Sequence, residues 1–216
     1  MDFAKARQAM VDSQVRPADV TDVALLAALR QVPREAFAPP AATSFAYADA
    51  ELDFGAGRYL LRPRHLAKLL QALEARPGER ALEIAGATGY GAAVMAACGL
   101  KVTMLDHKPD LCLAARTALE AVGAGDVAAV TTDIKAGWSE GAPYDVIFLN
   151  GAAEVVPPLW FEQLADGGRL AVIMREGPAG HARLYRKDRG QVASRAVFDA
   201  APPVLAGLEA PRQFAF

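Results

Sequence analysis

Between Arg64 and Arg76, leucines stand at 66, 69, 70 and 73, the i, i+3, i+4, i+7 spacing of an amphipathic helix. The same spacing puts Leu25, Leu26, Leu29 and Val32 on one face of "DVALLAALRQV", with Thr21 placed to cap that helix. Residues 1–50 as a whole read as helical, broken at Pro17 and stopped by the prolines of "VPREAFAPP". Further on, short apolar runs alternate with helical patterns. Strands are expected at 80–84, 101–106, 127–131, 144–149, 169–176, 182–187 and 191–198. Helices are expected from Gly89 to Cys98, from Pro109 to a stop at Gly123, and over 154–165, where "DGG" ends the last. Strand–helix alternation implies right-handed crossovers and parallel pairing. The last two strands are joined by "DRG", too short for a crossover, so they pair antiparallel. The expected fold is α/β: a doubly wound, mainly parallel seven-stranded sheet with an antiparallel C-terminal hairpin. An N-terminal helical segment (1–54) packs on the α/β domain (55–216) to make one structural unit. The end, "PVLAGLEAPRQFAF", is loop-like and either closes over the domain or stays mobile.

Composition narrows the class without naming a chemistry. Hydrophobic residues make up 53 % and charged residues 22 % of 216, ordinary for a compact soluble protein. With 23 basic and 25 acidic residues the net charge is −2, which argues against a broad nucleic-acid surface. Cys98 and Cys112 form no CxxC pair, and His65, His107 and His181 are scattered, so no metal site or disulfide framework is expected. The cysteines suit small apolar packing positions in a reducing cytosol. No apolar run approaches the roughly 18–20 residues of a membrane span, and the N-terminus lacks a signal-peptide pattern. The expectation is a cytoplasmic protein without membrane or nucleic-acid partners; nothing in the chain specifies its oligomeric state. Trp138 and Trp160 suit either a substrate mouth or core packing.

In a doubly wound sheet, ligands bind beyond the carboxyl ends of the strands, where strand order reverses. The first strand-to-helix turn is "LEIAGATGY", Leu82 to Tyr90. Asp106 ends the next strand, 23 positions after Glu83 and close to the spacing of about 20 for an acid that accepts from a ribose diol. Asp133 follows the third strand and Asn150 ends the fourth, so Glu83, Asp106, Asp133 and Asn150 are expected along one edge. The bland reading is that loops are solvated and acids often end strands. The turn itself is ambiguous. Gly86 and Gly89 can relieve backbone strain, but Ala85 and Ala87 break a strict G-x-G-x-x-G pattern.

Four segments taken together resemble the protein-L-isoaspartate O-methyltransferase family, over roughly residues 4–176. "MVDSQVRPADVTDVALLAALRQVPREAFAP" is similar to the family's N-terminal helices and "VPR…F.P" segment. "AYADAELDFGAGRYLLRPRHLAKLL" is similar to "Y.D.PLPIG.GQTISQPY.VA.M", and "PGERALEIAGATGYGAAVMA" to "PGD.VLEIGTGSGYQAAVLA". "APYDVIFLNGAAEVVPPLWFEQLADGGRL" is similar to "APFDAI.VTAA...VP..L..QL..GG.L". The resemblance implies a Rossmann-like fold that uses S-adenosylmethionine (SAM). It also implies methyl transfer to the carboxylate of an isoaspartyl residue in a protein or peptide, a repair reaction. Its glycine loop, ribose acid and adenine-side acid fall on Ala85–Gly89, Asp106 and Asp133.

Two departures accompany it. The alignment puts Tyr59 at the family's threonine, Leu61 at its serine and Arg62 at its second glutamine. The serine is a polar contact at the reacting carboxylate, and Leu61 makes no hydrogen bond from its side chain. Arg58, Arg62 and Arg64 add positive charge nearby, either to grip an acidic acceptor through paired hydrogen bonds or as a solvated helix start. In the loop, alanines at 85 and 87 cost roughly 1–2 kcal/mol wherever φ must be positive. Two readings follow. One is a SAM-dependent methyltransferase acting on an isoaspartyl or other acidic acceptor; the other is a non-catalytic relative that has lost SAM and binds a ligand or partner.

Overall fold

The computed structural model describes residues 1–211; the end of the C-terminal tail, 212–216, lies outside them. The N-terminal part holds α1 (Phe3–Met10) and α2 (Val23–Gln31), linked by a π-helical turn (Val11–Val15) and a 3-10 turn (Arg16–Ala18). Pro17 thus sits in the 3-10 turn rather than marking a simple break. Asp22, not Thr21, caps α2: its carboxylate accepts from the backbone N–H of Leu25 at 2.9 Å. Val15, Leu25, Leu26 and Leu29 bury their side chains against the α/β layer, so 1–54 is not a separate core.

A two-stranded antiparallel hairpin follows, β1 (Leu52–Gly55) with β2 (Arg58–Leu60). It has no counterpart among the sequence-derived elements, because three to four residues are too few for a period of two to register. Next come α3 (Pro63–Ala72), β3 (Arg80–Ile84), α4 (Tyr90–Ala97), β4 (Lys101–Asp106), α5 (Pro109–Ala121) and β5 (Ala128–Thr131). The chain continues through β6 (Tyr144–Ala153), α6 (Pro158–Glu162), β7 (Leu164–Glu176), β8 (Ala179–Asp188) and β9 (Gln191–Asp199).

The seven strands of the main sheet run in the order β5-β4-β3-β6-β7-β8-β9. The first five pair parallel, and β8 and β9 join antiparallel. This is the expected architecture. Two expectations need correction. The helix expected over 154–165 shrinks to Pro158–Glu162, and "DGG" lies inside β7, not at a helix end. β7 begins early because Leu164 pairs with Tyr144 before a register shift passes to Val146–Arg169. Asn150 does not end its strand either, since β6 runs on to Ala153, with its ladder interrupted between Phe148 and Ala152. Trp160 packs fully in the core and donates its indole N–H to the carbonyl of Ile134, which removes it from any mouth; Trp138 is half-buried. Among the described residues, no helix is long and apolar enough to cross a membrane.

The chain winds β3–β4–β5 in one direction and then crosses back to β6 on the other side of β3. The topological switch point therefore lies between the carboxyl ends of β3 and β6, beside Ala85 and Asn150. That is where the site is built.

Candidate cofactor site

The turn between β3 and α4 takes its path in spite of its alanines. Ala85 has φ +57°, Ala87 +50° and Gly89 +89°, so three of five residues stand in the left-handed region. All are buried. The turn is held from several sides: Gly86 N–H donates to Leu105 O at 3.0 Å, Gly89 N–H to Gly86 O at 2.8 Å, and Thr88 Oγ1 to Phe37 O at 2.5 Å. Substituting both alanines with glycine removes two strained left-handed residues but frees the unfolded chain somewhat. The Ala85→Gly/Ala87→Gly variant should gain about 1 kcal/mol in urea unfolding. No gain, or a loss, would show that the alanine methyls contribute packing worth more than the strain.

Asn150 fastens the turn to the hairpin. Its Nδ2 donates to Ala85 O and Tyr59 O, both at 3.3 Å, and its Oδ1 accepts from Leu61 N–H at 3.4 Å. Leu61 is itself core: its side chain is buried, and its carbonyl accepts from Arg34 Nη2 at 2.8 Å. Arg34 is fully buried, donates through Nε to Ala46 O at 2.8 Å, and lies 4.8 Å over the Tyr90 ring. This buried arginine is part of the platform under the site and is invisible to periodicity. Its only sequence signal is an arginine between apolar residues in "VPREAF".

At the end of β4 the carboxylate of Asp106 is sealed from solvent. Its Oδ2 accepts from Ala87 N–H at 3.2 Å, and its Oδ1 from Lys108 N–H at 3.1 Å and Arg58 Nε at 3.2 Å. Arg58 is also fully buried; its other bonds go to Gly57 O at 3.1 Å and His107 Nδ1 at 2.6 Å. A guanidinium has only donors, so Nδ1 of His107 is the acceptor there and its imidazole is neutral. Burial, then the positive charge of Arg58, hold the His107 pKa below its ordinary value. Beyond His107 an open cleft of about 410 Å³ is lined by Thr131, Thr132, Asp133, Lys135 and Gly207. Asp133 is exposed there and accepts from Lys135 N–H at 3.0 Å.

The expected site residues thus separate into groups. Ala85, Gly86, Ala87, Gly89, Asp106 and Asn150 converge, with Asp133 one strand further along. Glu83 turns away. Its carboxyl is buried beneath α4, where Oε2 accepts from Ala92 N–H at 2.7 Å and Oε1 lies against Gly91 without a partner. The three arginines do not form a common grip. Arg58 is buried on Asp106, Arg62 pairs bidentately with Glu51 at 2.7 Å for both bonds, and Arg64 pairs with Asp49 at 3.2 Å. The C-terminal segment closes the far side. Leu205 and Leu208 are buried, Leu205 N–H donates to Ala152 O at 2.9 Å, and the Tyr59 hydroxyl donates to Pro203 O.

For SAM, the donor set fits in kind: a carboxylate at the second strand end faces a left-handed turn at the start of a helix. One group contests it, Arg58, which already holds the carboxylate a ribose would use.

The parallel sheet, its switch point and this turn define the class: a Rossmann-like methyltransferase fold. The comparisons agree. A solved protein-L-isoaspartate O-methyltransferase structure superposes with a TM-score of 0.81 at 27 % identity, covering 94 % of this chain and 67 % of that one. A structure from Plasmodium falciparum, described as a putative protein-L-isoaspartate O-methyltransferase in complex with S-adenosyl-L-homocysteine, shares the fold. Its TM-score is 0.80 at 18 % identity, covering 92 % of this chain and 97 % of that one. The family model for protein-L-isoaspartate(D-aspartate) O-methyltransferase matches residues 5–201. A Methylorubrum populi protein-L-isoaspartate O-methyltransferase is 40 % identical over 188 residues, 87 % of this chain and 86 % of that protein. A Methylorubrum extorquens relative of the same name is 39 % identical over 197 residues, 90 % and 85 % of the two chains. The chain belongs to the protein-L-isoaspartate O-methyltransferase family.

Proposed function

We propose that this protein is a SAM-dependent carboxyl O-methyltransferase whose acceptor is an isoaspartyl residue in a protein or peptide, and that it serves protein repair. Within this family the observation that carries the reading is the turn. Ala85 and Ala87 are held in the left-handed conformation that glycines would adopt at no cost, so the cofactor loop keeps its path at an energetic expense. Two free cysteines, Cys98 and Cys112, suit a reducing cytoplasm.

When bound, SAM supplies a methyl group on a positively charged sulfur. The chain's own residues do the placing. Asp106, once free of Arg58, would accept from the ribose hydroxyls, the Ala85–Gly89 turn would support the amino-acid end, and Asp133 would border the adenine side of the open cleft. Asn150 keeps the turn, Tyr59 and Leu61 in one register. A carboxylate acceptor is already a competent nucleophile, so no base is required and orientation is the main contribution. Leu61 supplies no hydroxyl to that carboxylate. Arg62, one residue on, is the group that takes it, exchanging Glu51 for substrate at the cost of opening a bidentate, partly buried ion pair.

The test is a titration of the purified chain with S-adenosylhomocysteine, followed by methanol release after incubation with SAM and an isoaspartyl peptide. Binding and turnover are expected, with Arg62→Ala raising the peptide KM about tenfold and leaving cofactor affinity in place. Absence of cofactor binding up to millimolar concentration would sink the methyltransferase reading. Firm binding without transfer to the peptide would move the acceptor elsewhere.

A further inference from the structure

Arg58 does something the methyltransferase reading does not require. Its guanidinium is fully buried, lies 3.2 Å from Asp106 Oδ1 and 2.6 Å from His107 Nδ1, and sits between the turn's carboxylate and the open cleft. With Lys108 N–H and Ala87 N–H also on Asp106, both carboxylate oxygens are engaged. These three donors fill three of the roughly four acceptor sites of a carboxylate, so two ribose hydroxyls cannot both donate to it while Nε remains. The cleft on the adenine side is open as far as His107, so the block is local to the position of the ribose. It is also reinforced, because the Tyr59–Pro203 bond and the bond of Asn150 to Tyr59 O hold β2 down on the site.

We infer that Arg58 is an internal occupant of the ribose-acceptor position, so that SAM binds this chain only in competition with its own guanidinium. The inference rests on the proposed use of SAM and concerns the residue that sets its affinity. Affinity is reduced by the fraction of molecules in which Asp106 is free. A pair this buried leaves that fraction small. At one molecule in ten free, removing the guanidinium tightens binding about tenfold. The consequence is a chain with weak cofactor affinity that rises when β2 is loosened, for instance by a segment of acceptor protein docking on the hairpin.

The variant is Arg58→Gln, which keeps a polar side chain of similar length and cannot ion-pair. Calorimetric titration with S-adenosylhomocysteine is expected to give a Kd at least tenfold below that of the native chain. A Kd within threefold of native overturns the inference and leaves the proposed function standing. Binding by Arg58→Gln alone supports the inference and removes SAM use from the native chain. Binding by neither overturns both. Because Arg58→Gln exposes the fold to an unpaired buried carboxylate, a second measurement uses the native chain. In its nitrogen-15 NMR spectrum the Nε–H signals of Arg58 and Arg34 are both expected to be protected from solvent exchange. Saturating S-adenosylhomocysteine should release Arg58 and leave Arg34, which is bonded to Ala46 and Leu61, unchanged. Continued protection of Arg58 in the saturated protein overturns the inference.

Discussion

Replacing Asp106 with alanine will cost the fold about 3–5 kcal/mol, the expected loss when one member of a buried ion pair is deleted. The reason is what stays behind. Arg58 remains fully buried with a charge that no other carboxylate among the described residues answers, since Glu83 bonds to α4 and Asp133 is exposed in the cleft. The backbone N–H groups of Ala87 and Lys108 lose their acceptor as well. Urea unfolding followed by circular dichroism measures the loss, and S-adenosylhomocysteine binding should vanish with it. Replacing both partners, as Arg58→Met with Asp106→Leu, should recover much of the stability, because apolar side chains of similar volume avoid the desolvation penalty that the ion pair carries. Cofactor binding should not return in that double variant. A single Asp106→Ala variant that loses less than about 1 kcal/mol would mean the pair is loosely held or hydrated, contrary to its burial.

The second large effect is a pH dependence set by Glu83. Burial beneath α4, with the nearby charge of Asp106 adding to it, raises its pKa from 4.5 to about 8, while the bond from Ala92 N–H works in the other direction. The native carboxyl is therefore protonated at neutral pH, while in the unfolded chain it ionises above about pH 4.5. Between those values the folded state binds more protons than the unfolded one, so stability falls as pH rises. Each unit within that window costs on the order of 1 kcal/mol from this group. The accumulated loss from about pH 5 to 8 is on the order of 4 kcal/mol, with a plateau above it. Urea midpoints across this range read the slope. Glu83→Gln, which retains an oxygen for Ala92 N–H and cannot ionise, should flatten it. An unchanged slope in the glutamine variant would assign the pH dependence to another group.

These two acids show how far the chain could be read in one dimension. Both end or nearly end strands, and both were expected along one binding edge. The strand period places alternate side chains on opposite faces, but it does not say which face of a parallel sheet a helix will cover. α4 covers the face that carries Glu83, and glycine at 91 lets its backbone come down on the carboxyl: a Cβ there would lie 2.2 Å from Oε1. The strand pattern put the turn after β3 and Asp106 at the end of β4, where the structure has them, and put Asn150 at a strand end that the structure moves on to Ala153. The hairpin that carries Arg58 was beyond reach, because two strands of three to four residues are fixed by what they pack on, not by their own pattern.

The amino-acid sequence by itself determined the alternation of strands and helices, the parallel sheet with its antiparallel end, the position of the turn and the family. Apolar periodicity and four ordered motifs carry that information locally, and neither depends on knowing which side chains meet. Only the tertiary structure decided what the arginines do. Arg58, Arg62 and Arg64 lie within seven positions, yet each found a different carboxylate, at Asp106, Glu51 and Asp49. Ion-pair partners 48 residues apart, as Arg58 and Asp106 are, are chosen by burial and distance once the chain has folded.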